Sequence, residues 1–312
     1  MISLADIEAA ATLIAPHIRR TPLFVANALA EPPTAANLSL KLECLQATGS
    51  FKARGAINKL LTTPKEELAG GIVTASGGNH GLATALAARL AGVRATIFVP
   101  SNITAAKVDK LKLWGANVEV GGQVWNESNI HALEFARTQG ASYFHPFADA
   151  AVVAGQGTVA LELLADSPGV ETVLVAIGGG GLISGMGVAL KSLKPSVRII
   201  GVEPEGSPTL KASLDAGRVV RLSAVTTRVA TMACAETDSC VFELVRDHVD
   251  EIVLVSDDDM LDACRWLWFE LGIASDLSGA AAIAAVRTRK LTFAAGRSVA
   301  AVVCGAGPDG MD

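Results

Sequence analysis

The stretch Thr172–Leu193, TVLVAIGGGGLISGMGVALKSL, decides the fold of this chain. An apolar run comes first, four consecutive glycines follow it, and a leucine-rich segment completes it. Residues Thr172–Leu190 carry no charge and are about as many as a membrane span needs. The six glycines among them instead favour a strand over Thr172–Ile177, a turn at Gly178–Gly181 and a helix over Leu182–Leu193.

Short apolar runs alternate with amphipathic segments on both sides of this stretch. The other candidate strands are Leu38–Glu43, Gly71–Ala75, Ala95–Val99, Ala116–Val120, Val197–Val202, Glu251–Val255 and Ser298–Val303. The other candidate helices include His80–Leu90, Ala105–Trp114, Gly155–Leu164 and Asp257–Leu271. This alternation favours an α/β fold of open parallel sheets with helices on both faces. We expect residues 72–143 to form a compact unit beside a larger sheet, and a ligand to bind in the cleft between them, at the carboxyl ends of strands.

The composition narrows the classes of function. Half of the 312 residues are hydrophobic and 18% are charged, which suits a large core and an oligomeric enzyme. The net charge of −5 and the lack of a long basic run argue against a nucleic-acid partner. Residues 1–20 are acidic first and basic last, the reverse of a signal peptide, so no membrane attachment is expected. Five cysteines without a CxxC pair fit a reduced, cytoplasmic protein.

The loop Gly49–Ala56, GSFKARGA, lies between a candidate strand and a helix that begins near Lys52. A lysine taken alone is most often a solvated surface residue, and the helix dipole prefers anions at a helix start. Phe51 and the flanking glycines indicate instead a lysine led into a crowded cleft. A partly desolvated lysine has a lowered pKa and can become a Schiff-base nucleophile.

Two further loops join a strand to a helix. In the loop Ser76–Gly81, SGGNHG, the small residues leave backbone N–H groups exposed, and these can bind a carboxylate. An ordinary turn capped by Ser76 or Asn79 is an equal alternative. The four glycines Gly178–Gly181 favour a phosphate cradle over a flexible linker. No lysine–hydroxyl pair follows them, which excludes a Walker-type site. Glu203, about 20 residues further on, leaves a dinucleotide site as an alternative.

The fourth loop, Cys304–Gly307, follows the last candidate strand. Its thiol is either directed at a ligand or buried as a small hydrophobic group. The four motifs SFKARGA, SGGNHG, GGGGLISG and CGAG, in this order and spacing, resemble the fold-type II enzymes that depend on pyridoxal 5'-phosphate (PLP). They are most similar to the branch of threonine/serine dehydratases and serine racemase, and the resemblance covers nearly the whole chain.

The resemblance implies an architecture like that of the tryptophan synthase β-subunit, with the active site in the cleft between two parallel-sheet domains. The large PLP-binding domain would comprise residues 1–45 and 145–312, and the small domain residues 46–144. A small amino acid would be the substrate, and the protein would be a homodimer.

The resemblance also implies roles for residues around the cofactor and substrate. Lys52 would hold PLP as a Schiff base and then remove the Cα proton, while Phe51 would pack beside the ring. The remaining cofactor contacts would come from Asn79 to the 3'-oxygen, from Gly178, Gly179, Gly180 and Gly181 to the phosphate, and from Cys304 to the pyridine nitrogen. The substrate carboxylate would be held by Ser76 and by the backbone of Gly77, Gly78, Asn79 and His80.

Two of these positions indicate the type of reaction. A thiol at Cys304 does not enforce a charged pyridinium, so the ring is a weaker electron sink and β-elimination competes better than transamination. Dehydration would then give a 2-oxo acid and ammonia. Racemases of the family have a serine where this chain has Gly77, which has no proton to give, so racemisation is disfavoured.

Several residues depart from the family pattern. Asp276 replaces a glutamate, Ala230 an acidic residue and Gly307 an asparagine. The metal-binding pair of some relatives is Glu203 and Thr209 here, and no other metal motif is present, so we expect no metal. We expect these changes to alter the substrate rather than PLP binding. The alternatives are a PLP-binding homologue without turnover, a β-replacement or racemase sibling and, remotely, a nicotinamide-dependent oxidoreductase.

Overall fold

The computed structural model describes residues 2–123 and 125–311, and within these ranges the strands form two sheets. The large sheet has the order β1-β2-β10-β7-β8-β9, and the small sheet has the order β5-β4-β3-β6. The strands are β1 (Leu23–Val25), β2 (Asn37–Lys41), β3 (Ile72–Ala75), β4 (Ala95–Val99), β5 (Ala116–Val120), β6 (Ser142–Tyr143), β7 (Thr172–Ala176), β8 (Arg198–Pro204), β9 (Glu251–Val255) and β10 (Ser298–Val302).

Helices surround both sheets. They are α1 (Leu4–Ile14), α2 (Lys52–Thr62), α3 (Asn79–Ala91), α4 (Ala105–Leu113), α5 (Trp125–Gln139), α6 (Ala150–Asp166), α7 (Gly181–Leu193), α8 (Thr209–Ala216), α9 (Ser239–His248), α10 (Asp257–Leu271) and α11 (Leu277–Arg287). None of the helices in the described ranges is long and apolar enough to cross a membrane.

The predicted α/β fold with two parallel sheets is confirmed. Neighbouring strands pair in parallel in both sheets, apart from the antiparallel β1 and β2. Strand β7 lies between β10 and β8, and all five of its side chains are buried. Helices α7 and α11 pack against it, which is why the run over Thr172–Ala176 is apolar without alternation.

Some predicted boundaries were wrong for local reasons. The first candidate strand was expected to reach Glu43, but β2 ends at Lys41 because Glu43 begins a 3₁₀ turn and its carboxylate binds Arg54. The helix expected to begin at Gly155 begins at Ala150, because Asp149 accepts the first free backbone N–H groups as N-cap.

Three helices that position the site touch through glycines. A Cβ atom on Gly155 of α6 would lie 2.7 Å from the Cα atom of Gly55 in α2. One on Gly157 of α6 would lie 2.8 Å from the carbonyl oxygen of Gly185 in α7. The backbones therefore approach too closely for side chains, and α6 fixes the start of α2 relative to the start of α7.

The two sheets use separate parts of the chain. The small sheet lies within residues 72–143, and the strands of the large sheet lie within residues 23–41 and 172–302. The predicted boundaries of the domains, at 45/46 and 144/145, stay a prediction.

Candidate active site

Lys52 is the first residue of α2 and is half-buried. Its Nζ atom donates a hydrogen bond to the carbonyl oxygen of Pro146 at 2.6 Å and lies 5.0 Å from the centroid of the Phe51 ring. Burial lowers the pKa of Lys52 to about 8. The side chain is therefore not the solvated surface lysine that the residue taken alone would suggest.

The loop before Lys52 is fastened to the C-terminal loop. Gly49 has a φ of +86°, a left-handed conformation that favours glycine, and its carbonyl oxygen accepts the N–H of Ala306 at 2.8 Å. The N–H of Phe51 is donated to the carbonyl oxygen of Cys304 at 3.2 Å. Two of the four predicted loops thus contact each other through their backbones.

The glycine loop leads from β7 into α7, as predicted. The N–H groups of Gly178–Gly181 have no hydrogen-bond acceptor within the described parts of the chain. They lie at the start of a 13-residue helix, where the dipole favours an anion. Side chains would not fit, since a Cβ on Gly181 would lie 2.7 Å from the carbonyl oxygen of Phe147.

The loop after β3 is not an ordinary capped turn. Helix α3 has Gly78 as N-cap, with no side chain capping it, and the Ser76 hydroxyl accepts the N–H of Gly78 at 3.3 Å. Among described residues, the N–H groups of Gly77, Asn79 and His80 have no acceptor, which leaves them for a carboxylate. The buried His80 ring bonds through Nε2 to the carbonyl oxygen of Phe144 at 2.9 Å, and burial lowers its pKa to about 3.

The segment that contains the unusual Ala230 lies between these two loops. The methyl group of Thr231 is 3.5 Å from the position of a Cβ atom on Gly78. The carbonyl oxygen of Thr231 is 2.8 Å from the position of a Cβ atom on Gly178. The structure therefore brings the predicted carboxylate loop and the predicted phosphate loop together against Thr231.

Cys304 is buried at the end of β10. Its thiol donates to the carbonyl oxygen of Ser278 at 3.4 Å, and burial raises its pKa, so the sulfur is a neutral thiol. Asp276 lies next to this loop, since a Cβ atom on Gly307 would be 2.8 Å from the Cβ atom of Asp276. Two of the departures from the family pattern, Asp276 and Gly307, are thus in contact.

Sequence reasoning missed two groups of residues beside Lys52. The Nδ1 atom of His145 accepts the N–H groups of Phe147 at 3.2 Å and Ala148 at 2.9 Å, and burial, with the nearby Lys52, lowers its pKa to about 4. The histidine–proline–phenylalanine run after β6 was the available signal.

The second missed group is a buried network of charges that holds the start of α2. Arg54 donates to both oxygens of Glu43 at 2.8 Å and to Glu162 at 2.8 and 2.9 Å. Lys41 donates to the same Glu162 at 2.6 Å. The sequence signal for this network was the presence of charged residues, Lys41 and Glu43, in a strand predicted to be buried, where a charge needs a partner.

Glu203 does not present a free carboxylate to a ribose. Its oxygens accept the N–H groups of Leu210 at 2.8 Å and Lys211 at 2.9 Å, so it caps α8. The described residues contain no group of three or more histidine, cysteine or carboxylate side chains that could hold a metal ion.

Comparison with known proteins identifies the family and, with it, the cofactor. The family model described as pyridoxal-phosphate dependent enzyme matches residues 14–305. The chain belongs to this family. The predicted PLP cofactor is therefore confirmed, and the nicotinamide alternative is wrong.

Relatives narrow the branch of this PLP-dependent family. The L-threonine ammonia-lyase of Thermotoga maritima is 41% identical over 309 residues, 99% of this chain and 76% of that protein. Maize serine racemase superposes with a TM-score of 0.92 at 33% identity, over 97% of this chain and 93% of that one. The processed threonine deaminase isoform 2 of Solanum lycopersicum superposes with a TM-score of 0.90 at 33% identity, over 97% of this chain and 88% of that one. The predicted fold type II and threonine/serine dehydratase branch are confirmed.

The residues present fit PLP. The cofactor has an aldehyde and a phosphate, and the site offers a half-buried amine at Lys52 and unpartnered N–H groups at Gly178–Gly181. The tight packing around the glycines leaves the backbone itself as the surface that a phosphate would contact.

Proposed function

We propose that this chain is an ammonia-lyase that converts L-threonine or L-serine into a 2-oxo acid and ammonia. The Cα proton and the Cβ hydroxyl leave as water, and a water molecule then releases the amino group as ammonia. Relatives named L-threonine ammonia-lyase and threonine deaminase support this reaction. The Lys52 amine carries the proposal, since it is bonded to the carbonyl oxygen of Pro146 and the adjacent Phe147 packs against the glycine loop with its free N–H groups.

Bound PLP supplies an electron sink for the pair left behind when a proton leaves Cα. Lys52 would hold the cofactor through its aldehyde, and its amine would take the proton from Cα. A pKa of about 8 suits this task, because a base works best when its pKa is close to the working pH. The free N–H groups of Gly77, Asn79 and His80 and the Ser76 hydroxyl hold the substrate carboxylate, which orients Cα toward Lys52.

The remaining contacts follow from the same placement. Gly178–Gly181 bind the phosphate, and Phe51 packs beside the ring. Asn79 donates to the 3'-oxygen, and Cys304 faces the pyridine nitrogen as a neutral thiol. This neutrality favours elimination over transamination, and the missing side chain of Gly77 disfavours racemisation, although maize serine racemase is a close structural neighbour.

We also infer a homodimer in the cytoplasm. Strand β1 is an edge of the large sheet and leaves Phe24 and Val25 39% and 54% exposed, which suits burial against a second copy. The five cysteines are free, as in a reducing compartment. Sedimentation of the purified protein at twice the monomer mass would support the dimer, and a monomer at micromolar concentration would contradict it.

The experiment for the reaction measures ammonia and 2-oxo acid from a panel of β-hydroxy amino acids. We expect 2-oxobutyrate from L-threonine and pyruvate from L-serine, no release by Lys52→Ala, and nearly full release by the matched Lys59→Ala. Release only from another member of the panel would support an altered substrate. Tight PLP binding with no release of ammonia from any amino acid of the panel would indicate a PLP-binding protein without this activity and would overturn the proposal.

A further inference from the structure

Asp276 is a half-buried carboxylate whose two oxygens have different partners. It is the N-cap of α11, where Oδ1 accepts the N–H of Gly279 at 2.6 Å and the hydroxyl of Ser278 at 2.7 Å. The other oxygen, Oδ2, accepts a hydrogen bond from Nδ2 of Asn79 at 2.9 Å. Asp276 therefore connects the start of α11 to the start of α3, 197 positions away in the chain.

The C-terminal loop covers this contact. A Cβ atom on Gly305 would lie 2.6 Å from Oδ2 of Asp276 and 2.9 Å from Nδ2 of Asn79. The backbone at Gly305 thus lies directly against both atoms, and the close packing limits the access of water to them. A hydrogen bond in such surroundings is stronger than one in water.

The carboxylate determines which way the Asn79 amide faces. An amide has a donating nitrogen and an accepting oxygen, whereas an ionised carboxylate only accepts. Burial raises the pKa of Asp276, and the hydrogen bonds from Ser278, Asn79 and Gly279 oppose that shift by favouring the charged form. With Nδ2 directed at Asp276, one N–H of that nitrogen remains for a ligand in the cleft.

We propose that Asp276 is a positioning residue for the cofactor, which fixes the Asn79 amide so that its remaining N–H is donated to the 3'-oxygen of PLP. The inference rests on the role of Asn79 under the proposed function. It assigns the departure at Asp276 to cofactor recognition, whereas the sequence led us to expect an effect on substrate choice.

The variant Asp276→Asn tests this orientation. The N–H of Gly279 needs an acceptor, so the new amide oxygen takes the place of Oδ1 and the new nitrogen faces Nδ2 of Asn79. Two donors then oppose each other, and the Asn79 amide turns its oxygen toward residue 276. The donor to the 3'-oxygen is thereby displaced.

The absorption spectrum of the bound cofactor reports this change. Loss of the donor raises the proton affinity of the 3'-oxygen. We therefore expect the cofactor's absorption to move from the violet toward the near ultraviolet, and the pH at which this absorption is half-changed to differ from that of wild type. Asp276→Ser is a second variant, because serine still caps α11 but is too short to reach Asn79. Ser278→Ala is the matched control, since it removes a partner of Oδ1 and leaves the contact with Asn79.

A double variant separates positioning from a merely structural role. We expect Asn79→Ala to change the spectrum as Asp276→Asn does, and Asp276→Asn to add nothing in the Asn79→Ala background. An unchanged spectrum in both PLP-loaded Asp276 variants would overturn the inference. A spectral change that Asp276→Asn still produces in full in the Asn79→Ala protein would also overturn it. In each case a yellow wild type that releases ammonia leaves the proposed function standing, whereas a colourless wild type would overturn both.

Discussion

The Nζ atom of Lys52 and the carbonyl oxygen of Pro146 lie 2.6 Å apart, which ties the start of α2 to the segment after β6. The amine is half-buried and has one hydrogen-bond acceptor, with no carboxylate paired to it among the described residues. A lysine kept in this way loses its proton more readily than an exposed one, and the neutral amine is the nucleophile that an aldehyde requires.

Burial of Lys52 costs stability in the cofactor-free protein. A pKa lowered from 10.5 to about 8 corresponds to at most about 3 kcal/mol. Below pH 8 the amine is charged in the folded and in the unfolded state, so the folded protein bears the full cost of burying the charge. Lys52→Met removes this cost but also the hydrogen bond to Pro146, and we expect a net stabilisation of the apoprotein by about 2 kcal/mol. Between pH 8 and 10.5 the unfolded state holds the proton that the folded state has lost, so wild type gains stability, and by pH 10.5 the lost bond to Pro146 leaves Lys52→Met the less stable of the two.

Urea denaturation of the apoprotein from pH 7 to 10.5 measures this difference. The matched control is Lys59→Met on the same helix, which loses an ion pair of 2.8 Å with Asp149 and should lower stability by under about 1 kcal/mol. A Lys52→Met protein that is less stable than wild type at pH 7 would contradict the burial of a charged amine.

The glycine loop should not tolerate a side chain at Gly179. An added Cβ atom would clash with the Phe147 ring, which covers the loop. We expect Gly179→Ala to weaken PLP binding at least tenfold, about 1.4 kcal/mol, by displacing the backbone N–H groups. Gly169→Ala is the matched control, because nothing lies within 4 Å of its Cβ position.

Equilibrium titration of the apoprotein with PLP gives the affinities. Phe147→Ala added to Gly179→Ala removes the clash, so partial recovery of affinity would assign the loss to packing. Unchanged affinity in Gly179→Ala would mean that the loop does not contact the phosphate.

A serine at position 77 should add racemisation. Gly77→Ser supplies a hydroxyl in the loop Ser76–Gly81, and its Cβ atom would lie 2.7 Å from the Cδ1 atom of Ile103, the flexible end of that side chain. We expect measurable D-serine from L-serine, by chiral chromatography, with elimination reduced but present. Gly78→Ser, where the nearest atom is a Thr231 methyl at 3.5 Å, should give none. Equal D-serine from both variants would contradict a specific acid at position 77.

The buried network around Arg54 should matter far more than surface ion pairs. Arg54→Met leaves the buried Glu43 without a cationic partner, and we expect a loss of about 3–5 kcal/mol in the free energy of unfolding. Arg20→Ala removes an exposed pair with Asp166 and should cost under about 1 kcal/mol. Urea denaturation of both variants checks this contrast, and similar small losses would show that the network adds little.

The sequence was informative where local patterns decide the structure. The run TVLVA is apolar because helices pack on β7, and glycines after strands indicated the loops of the candidate site. Contacts between distant segments could not be predicted in this way. The pairing of Asn79 with Asp276 and the cover of Phe147 over Gly179 depend on how whole elements pack, and no local signal encodes them.

Attachment of the cofactor to Lys52 is tested most directly by reduction with borohydride and peptide mass spectrometry. Reduction fixes PLP to the amine that holds it, and digestion then locates the modified residue. We expect one phosphopyridoxyl group per chain, on the peptide that contains Lys52, and none on the Lys52→Ala protein. A group found on another lysine, or the same modification in Lys52→Ala, would contradict the assignment.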